Sequence, residues 1–283
     1  MIIKLKNKEI SASINSFGAE LVSLVKGETN YIWSVDTNYW NKTSPILFPI
    51  VGRLKNDTYS YEGKNYHLTR HGFARDNDFE IIYQKDNEVV FSFKSNEETV
   101  KNYPFQFELQ LGYLLTSDTL IVSYTVKNNT KNRVMPFSIG AHPAFAIDNT
   151  FNDYSLVFDK DSSFESHLLE NDLFSGKTKS IVSNENSIPL DYNLFKEDAL
   201  VFKNLKSTEV TLQYKDKPHL KMTFEKFPYF GIWTKEDAPF LCLEPWFGHA
   251  DEAQTTGDLD TKKGIIKINS DEIFKSNYKI KLF

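Results

Sequence analysis

Hydrophobic and polar residues alternate in two consecutive segments near the middle of the chain. Apolar or aromatic side chains occupy every second position of FQFELQLGY, from Phe105 to Tyr113, and of TLIVSYTV, from Leu120 to Val126. A period of two is typical of a β-strand with one buried face. The short connection LLTSD between the two segments predicts that they pair as a hairpin.

The same order of strand, turn and strand recurs along the rest of the chain. It is seen in VTLQY-KDKPH-LKMTF and in YFGIWT-KEDAP-FLCLE, and further strands are predicted at EISASI, EVVFSF and YKIKLF. No long stretch has apolar residues at a helical period, and NLFKEDAL is the only segment for which we predict a short helix. Residues 148–195 are more polar and less regular, which predicts long loops and edge strands.

These patterns predict an all-β fold, a large and mostly antiparallel β-sandwich. Aromatic residues make up 14% of the chain, and they would fill the flat space between two facing sheets. The length of 283 residues would allow two domains, but sandwiches of about 250 residues often form one unit. Because no Pro- or Gly-rich linker interrupts the chain, we expect residues 1–283 to form a single domain.

Composition and charge exclude several classes of partner. The net charge is −5, from 33 basic and 38 acidic side chains that are interspersed, so we expect no nucleic acid partner. No apolar run approaches about 18 residues and MIIKLKNKEI lacks the features of a signal peptide, so we expect a cytoplasmic protein that does not bind membranes. The single cysteine, Cys242, cannot form an internal disulfide and is predicted to be a small buried residue.

Four segments place polar side chains in apolar, glycine-flanked contexts. They are FPIVGR, TRHGFAR, IGAHPAF and LCLEPWFG, and they contain Arg53, His71 with Arg75, His142 and Glu244, respectively. His142 and Glu244 each precede a proline, which biases both residues toward extended backbone. Their side chains are therefore held in a fixed direction.

Glu244 is the strongest candidate, because a carboxylate among apolar residues costs several kcal/mol unless it is paired, hydrogen-bonded or neutralised. Structural interpretations stay open for the others: a hydrogen-bonded core residue for His142, a strand-end ion pair for Arg53, and a surface turn for His71 and Arg75. Trp40 and Trp246 are predicted to pack in the core, with stacking on a sugar as the alternative. The remaining histidines are predicted to be solvated, namely His67, His167, His219 and His249.

Two histidines, a carboxylate and an arginine on a β-sandwich favour proton transfer on a polyhydroxylated ligand. The chain has no G-x-S-x-G, P-loop, G-x-G-x-x-G or H-E-x-x-H motif, so we expect no nucleotide cofactor. A metal site of two histidines and one carboxylate is an open alternative. A glycoside hydrolase is another, and it would pair Glu244 with a second carboxylate such as Asp78 or Asp198.

The four motifs SPILFPIVGRLKND, HGFARDNDFE, GAHPAF and CLEPWFG occur in the order and spacing of one family. The chain resembles the aldose 1-epimerase, or galactose mutarotase-like, family over essentially its whole length, and in particular the shorter bacterial LacX-like branch. The resemblance implies an antiparallel β-supersandwich with an open concave face. It also implies that His142 is the general acid, that Glu244 is the general base and that His71 binds near the sugar ring oxygen.

The chain departs from the family pattern at the sugar-binding residues. Asp57 of GRLKND stands where galactose mutarotases have an arginine, so Arg53 or Arg75 is expected to substitute. Asp198 is our candidate for the family's sugar-binding aspartate. The hexose-6-phosphate mutarotases of the family carry an arginine at the place of Arg75, which would bind a phosphate there, although only Lys42 matches their second arginine.

The resemblance therefore implies a mutarotase that interconverts the α and β anomers of an aldose or aldose phosphate, with no metal or cofactor. The expected partner is a monosaccharide or sugar phosphate, and the protein is expected to be a monomer or homodimer. A non-catalytic sugar-binding protein is the main alternative, ahead of the glycoside hydrolase.

Overall fold

The computed structural model describes residues 1–148 and 150–283. The strands in these residues are β1 (Ile2–Lys6), β2 (Ile10–Asn15), β3 (Glu20–Lys26), β4 (Thr29–Asn30), β5 (Thr58–Tyr61), β6 (Lys64–His67), β7 (Glu80–Lys85), β8 (Glu88–Lys94), β9 (Phe107–Thr116), β10 (Thr119–Asn128), β11 (Met135–Phe137), β12 (Ile139–Gly140), β13 (Ala144–Ala146), β14 (Tyr154–Phe158), β15 (Phe164–Glu170), β16 (Leu173–Ile181), β17 (Ser187–Pro189), β18 (Leu200–Lys203), β19 (Glu209–Tyr214), β20 (Lys217–Thr223), β21 (Tyr229–Trp233), β22 (Phe240–Phe247), β23 (Ile266–Ile268) and β24 (Ile273–Leu282). The helical elements are α1 (Thr99–Asn102) and short 3-10 turns at Lys55–Asp57, Ala74–Asp76, Phe151–Asp153, Tyr192–Phe195 and Leu259–Thr261.

The largest sheet has nine antiparallel strands in the order β17-β14-β19-β20-β24-β10-β9-β8-β7. The predicted hairpin is its centre, since β9 pairs with β10 from Asn128↔Phe107 to Thr119↔Thr116. The turn is only Ser117 and Asp118, because residues 114–116 of LLTSD continue the alternation and extend the strand. The prediction of a large antiparallel β fold is confirmed.

A second sheet of five strands faces this one, in the order β12-β22-β21-β18 with β13 also paired to β22. Alternate residues of β22 point in opposite directions, as in any strand. Leu241 and Leu243 join the main hydrophobic core, which also contains Leu109, Leu111 and Val122 of the large sheet. The core therefore lies between the two sheets, and the other face of β22 is left for the site.

Two local predictions were wrong. NLFKEDAL was predicted to be a helix, but it forms only the 3-10 turn Tyr192–Phe195 before the chain enters β18. The α-helix α1 was not predicted, because its residues TVKN are mainly polar and too few to display a helical period. Two hydrogen bonds of 2.9 Å precede the helix. The backbone N–H of Asn96 donates to Oγ1 of Thr99, and the backbone N–H of Thr99 donates to Oδ1 of Asn96.

The irregular segment 148–195 was predicted to hold loops and edge strands. From residue 150 onward it does contain the edge strand β17, but β14 lies inside the large sheet between β17 and β19. β15 and β16 form a separate hairpin. No helix in the described residues is long and apolar enough to span a membrane.

Candidate functional site

A cleft of about 600 Å³ opens on the side of β22 that faces away from the main core. The hairpin of β15 and β16 forms one wall. Polar side chains line the cleft together with three tryptophans; the polar ones are Arg53, Arg70, His71, His142, Asp172, Asp198 and Glu244.

Strand register places His142 directly opposite Glu244. β12 pairs Gly140 with Trp246 and β13 pairs Ala144 with Cys242, so the same register is kept on both sides of residues 141–143. The N–H of Ala141 donates to the carbonyl of Pro245 at 3.1 Å, and the N–H of Leu243 donates to the carbonyl of Pro143 at 3.2 Å. Residues 142 and 244 lie between these two hydrogen-bonded pairs, in a position where facing side chains approach most closely.

The side chains of this facing pair meet at the end of the cleft. Nε2 of His142 lies 3.3 Å from Oε2 of Glu244. Within the part of the chain that the structure describes, that oxygen makes no hydrogen bond, and Nδ1 of His142 has none either. The side chains are 11% and 2% exposed, respectively. The imidazole nitrogens and the carboxyl oxygen therefore lie close together without a hydrogen bond between the two side chains, so they can still bind a third group.

Burial sets the protonation of this pair. It lowers the pKa of His142 to about 3 and raises the pKa of Glu244 well above its ordinary value. The cause in both cases is that removal from water disfavours the charged form. The favoured state is thus a neutral imidazole beside a protonated carboxyl. The carboxyl proton is the one that can move between the two side chains.

His71 reaches the cleft from a tight turn. It adopts a left-handed backbone conformation with φ of 69°. Gly72, which follows it, approaches Phe48 so closely that a Cβ there would lie 2.3 Å from the Phe48 carbonyl oxygen. The N–H of Gly52 donates to Nδ1 of His71 at 3.1 Å, so the neutral ring carries its proton on Nε2. Burial lowers the pKa of His71 well below its ordinary value, and the ring stays a neutral donor.

Ion pairs neutralise the arginines of the cleft. Arg53 donates from Nε and Nη2 to the two carboxylate oxygens of Asp57, at 2.9 and 2.8 Å. Its Nη1 donates to Oδ2 of Asp172 at 2.9 Å. Arg70 donates to the other oxygen of Asp172 at 2.9 Å. Arg53 thus forms the ion pair that the sequence left open, and Asp57, which replaces the family's arginine, is its partner.

Arg75 does not line the cleft. It donates from Nη2 to the carbonyl of Arg70 at 2.8 Å and lies 3.6 Å from Asp76. Lys42 also contacts Asp76, at 3.3 Å. Of the two arginines in the TRHGFAR motif, the one that lines the cleft is therefore Arg70, which was not predicted from the sequence.

Asp198 lines the cleft and accepts the N–H of Ala199 at 2.7 Å. Its charge also contributes to the raised pKa of Glu244, after burial. Asp78, the other carboxylate considered for a hydrolase, lies away from the cleft in a bridge with Phe17.

Tryptophan side chains form the floor and one side of the cleft. The indole of Trp246 lies across the sheet between Gly140 and Gly231, where an added Cβ would come within 2.5 Å of the ring in each case. Trp246 donates from Nε1 to the carbonyl of Ala141 at 3.2 Å. Trp40 stacks on His142 with ring centroids 4.8 Å apart, so it lies at the site as well as in an aromatic cluster.

Two further residues of the site, besides Arg70, were not predicted from the sequence. Trp233 lines the cleft and meets His142 edge-on at 5.8 Å. Asp172 lies at the tip of the hairpin between β15 and β16. The prediction that His249 is solvated was wrong, since this residue is 2% exposed and lies behind the cleft.

Cys242 is buried and free, and burial raises the pKa of its thiol well above the ordinary value. Among the described residues, the group close enough to share a metal ion consists of His142, Cys242 and Glu244. It is not the set of two histidines and one carboxylate that the sequence suggested.

The fold is shared with a known protein family. The family model for aldose 1-epimerase matches residues 1–261, and the chain belongs to that family. Among its relatives is the chromosomal protein LacX of Lactococcus lactis subsp. lactis, which is 34% identical over 99% of both chains.

Solved structures agree with this assignment. A galactose mutarotase related enzyme from Lactobacillus acidophilus superposes with a TM-score of 0.95 at 30% identity, covering 100% of this chain and 97% of that one. A galactose mutarotase-like protein from Lactobacillus casei ATCC 334 superposes with a TM-score of 0.94 at 32% identity, covering all of both chains.

Proposed function

We propose that the protein is a mutarotase that interconverts the α and β anomers of a neutral aldose. The observation that carries the proposal is the pair His142 and Glu244, 3.3 Å apart at the end of a cleft of about 600 Å³. Mutarotation needs a base at the C1 hydroxyl and an acid at the adjacent ring oxygen. The pair of His142 and Glu244 can pass one proton between its two groups. Membership of the aldose 1-epimerase family supports the same reaction.

In the proposed mechanism the carboxyl proton of Glu244 first passes to His142. Ionised Glu244 then takes the proton of the C1 hydroxyl while His142 donates a proton to the ring oxygen. The C1–O5 bond breaks and the open-chain aldehyde forms. After rotation about C1–C2, the C5 hydroxyl attacks the other face of the aldehyde, and both protons return. The total number of protons on enzyme and sugar is unchanged throughout, so no cofactor is needed.

His71 is proposed to bind the sugar near its ring oxygen. Its Nε2–H is fixed as a donor by the hydrogen bond that Nδ1 accepts from Gly52. The ring meets His142 edge-on with centroids 5.8 Å apart, so both imidazoles reach the same part of the cleft. Asp198 and Arg70, at the cleft wall, are proposed to bind hydroxyl groups farther from C1.

The charges around the cleft favour a neutral sugar over a sugar phosphate. Arg53 and Arg70 both contact Asp172, and Arg53 also contacts Asp57. A phosphate would have to displace carboxylates that already occupy these guanidinium groups. The predicted phosphate role of Arg75 gains no support, because this residue lies outside the cleft lining.

The test is anomer exchange measured by NMR on a panel of free aldoses and their 6-phosphates. Glu244→Gln should lower the exchange rate by about 10²- to 10⁴-fold, since it removes the base without changing side-chain volume. Glu108→Gln, on the large sheet away from the cleft, is the matched control and should keep the wild-type rate. An unchanged rate in Glu244→Gln would refute the mechanism, whereas saturable sugar binding without exchange in the wild type would favour a sugar-binding protein.

A further inference from the structure

We propose that the end of the cleft is also a binding site for a soft divalent metal ion, and that Zn²⁺ is held there by His142, Cys242 and Glu244. The ion would be an inhibitor, because it takes the two groups that the sugar needs. The inhibitory consequence rests on the proposed function, but binding of the ion does not.

Strand geometry brings the three side chains together. Cys242 and Glu244 are two residues apart on β22, so they point to the same face of the sheet. His142 lies opposite Glu244 across the interrupted pairing of β12 and β13 with β22. Three potential ligands therefore project from two neighbouring strands toward one place.

The imidazole nitrogen and the carboxylate oxygen are spaced as two ligands of one ion. One ligand atom from each of the three residues lies within 4.8 Å of the others, and Nε2 of His142 is 3.3 Å from Oε2 of Glu244. Zn–N and Zn–O distances of about 2.0–2.1 Å with tetrahedral angles separate such ligands by roughly 3.3–3.4 Å. The nitrogen and oxygen thus already have the spacing that a tetrahedral ion requires.

An unpartnered atom points to a ligand at this place. Glu244 is 1% exposed, and its Oε2 makes no hydrogen bond to any of the described residues despite its closeness to His142. A buried carboxylate oxygen without a partner is costly. A metal ion between the two side chains would satisfy it, and the cleft would supply water as the fourth ligand.

The donor set selects the class of ion. Thiolate and imidazole are typical ligands of Zn²⁺, whereas Mg²⁺ and Ca²⁺ prefer oxygen alone. Binding changes no oxidation state. The thiol of Cys242 and the acid–base pair each release a proton to the buffer, and three metal–ligand bonds form.

The experiment uses Cd²⁺ as a spectroscopic probe on the full-length protein. A Cd²⁺–thiolate bond gives a charge-transfer band in the near ultraviolet, and Cys242 is the only cysteine in the chain. We expect the band to appear with one equivalent of Cd²⁺ and to be suppressed by Zn²⁺. It should be absent in Cys242→Ala and Cys242→Ser, two small changes of which the serine keeps nearly the same volume.

The kinetic arm measures anomer exchange against Zn²⁺ concentration. Both cysteine variants should keep the metal-free exchange rate within about twofold and should raise the half-inhibitory Zn²⁺ concentration roughly tenfold or more. Mutating a residue that only orients a metal ligand costs about 10- to 100-fold in metal affinity, and Cys242 is proposed to be a ligand itself. His67→Gln, at an exposed histidine on β6, controls for adventitious surface binding and should leave the inhibition unchanged.

The two arms separate this inference from the proposed function. Absence of the thiolate band in the wild type, or equal Zn²⁺ inhibition of the wild type and both cysteine variants, would overturn the metal site. A band that appears in a protein with no anomer exchange would uphold the metal site and refute the mutarotase.

Discussion

His249 is expected to make the folded protein sensitive to acid. Its ring is buried behind the cleft, with Nδ1–H donating to the carbonyl of Ala250 at 2.7 Å. Phe174 and Tyr229 pack on the ring with centroid distances of 5.0 and 4.7 Å. Burial, followed by the nearby charge of Lys203, lowers the pKa of His249 to about 3.

The magnitude follows from the difference between the folded and unfolded states. An unfolded histidine binds its proton with a pKa of about 6.5, so below that pH the unfolded chain holds a proton that folded His249 does not. Stability from this residue is therefore complete above about pH 6.5 and is lost as the pH falls toward 3. The loss approaches about 1.4 kcal/mol per pH unit, which gives about 2 kcal/mol between pH 8 and pH 5.

The assay compares urea unfolding of the wild type and His249→Asn at several pH values. Asn Nδ2 can replace the Nδ1–H donor to Ala250, so the variant removes the titration while keeping that hydrogen bond. The unfolding free energy of the wild type minus that of His249→Asn should fall by about 2 kcal/mol between pH 8 and pH 5, because only the wild type loses stability through this residue. His67→Asn, at an exposed site, should show no such change, and a pH-independent difference for His249→Asn would refute the reasoning.

Three further substitutions test the cleft. Arg70→Gln should raise KM about tenfold or more, because a charged donor to the sugar is lost; an unchanged KM in exchange kinetics would place Arg70 outside the binding site. Asp172→Asn removes the carboxylate that Arg70 shares with Nη1 of Arg53, so it should lower unfolding free energy by less than about 1 kcal/mol and shift efficiency toward hexose 6-phosphates; an unaltered preference in the NMR panel would count against the charge argument. Gly140→Ala places a Cβ 2.5 Å from the indole of Trp246, so it should cost about 1–3 kcal/mol of stability and slow exchange; unfolding and exchange rates equal to those of the wild type would contradict this.

The fold was predictable because its signal is local. Alternation at a period of two is visible within ten residues, and β9 and β10 show it clearly. Glu244 and His142 could be found in the same way, since each interrupts an apolar run before a proline. Their mutual approach was not visible, because the register between strands a hundred residues apart has no local signature.

The remaining site residues depend on turns that the sequence does not specify. Arg70 and Arg75 lie in one short motif, and the left-handed backbone at His71 and Gly72 reverses the chain between them. Arg70 then lines the cleft while Arg75 holds its carbonyl. Composition alone gives no reason to prefer one arginine over the other.

Long-range contacts explain the other omissions. Asp172 meets Arg53 across 119 positions of sequence, and it is placed by the tip of a hairpin rather than by its neighbours. His249 follows a glycine and precedes an alanine and an aspartate, a context that resembles a surface loop. Its burial comes from Phe174 and Tyr229 on distant strands.

Pro245, which follows Glu244, does more than extend the backbone. Pro245 has no N–H, so it cannot return a hydrogen bond to the carbonyl of Ala141, which would otherwise be its partner in the ladder. That carbonyl instead accepts the indole N–H of Trp246 at 3.2 Å. The missing ladder bond thus becomes the bond that holds the cleft floor, while the unbroken register still places His142 opposite Glu244. The missing N–H of Pro245 therefore frees the acceptor that fixes the indole of the cleft floor, on the same strand that carries Glu244.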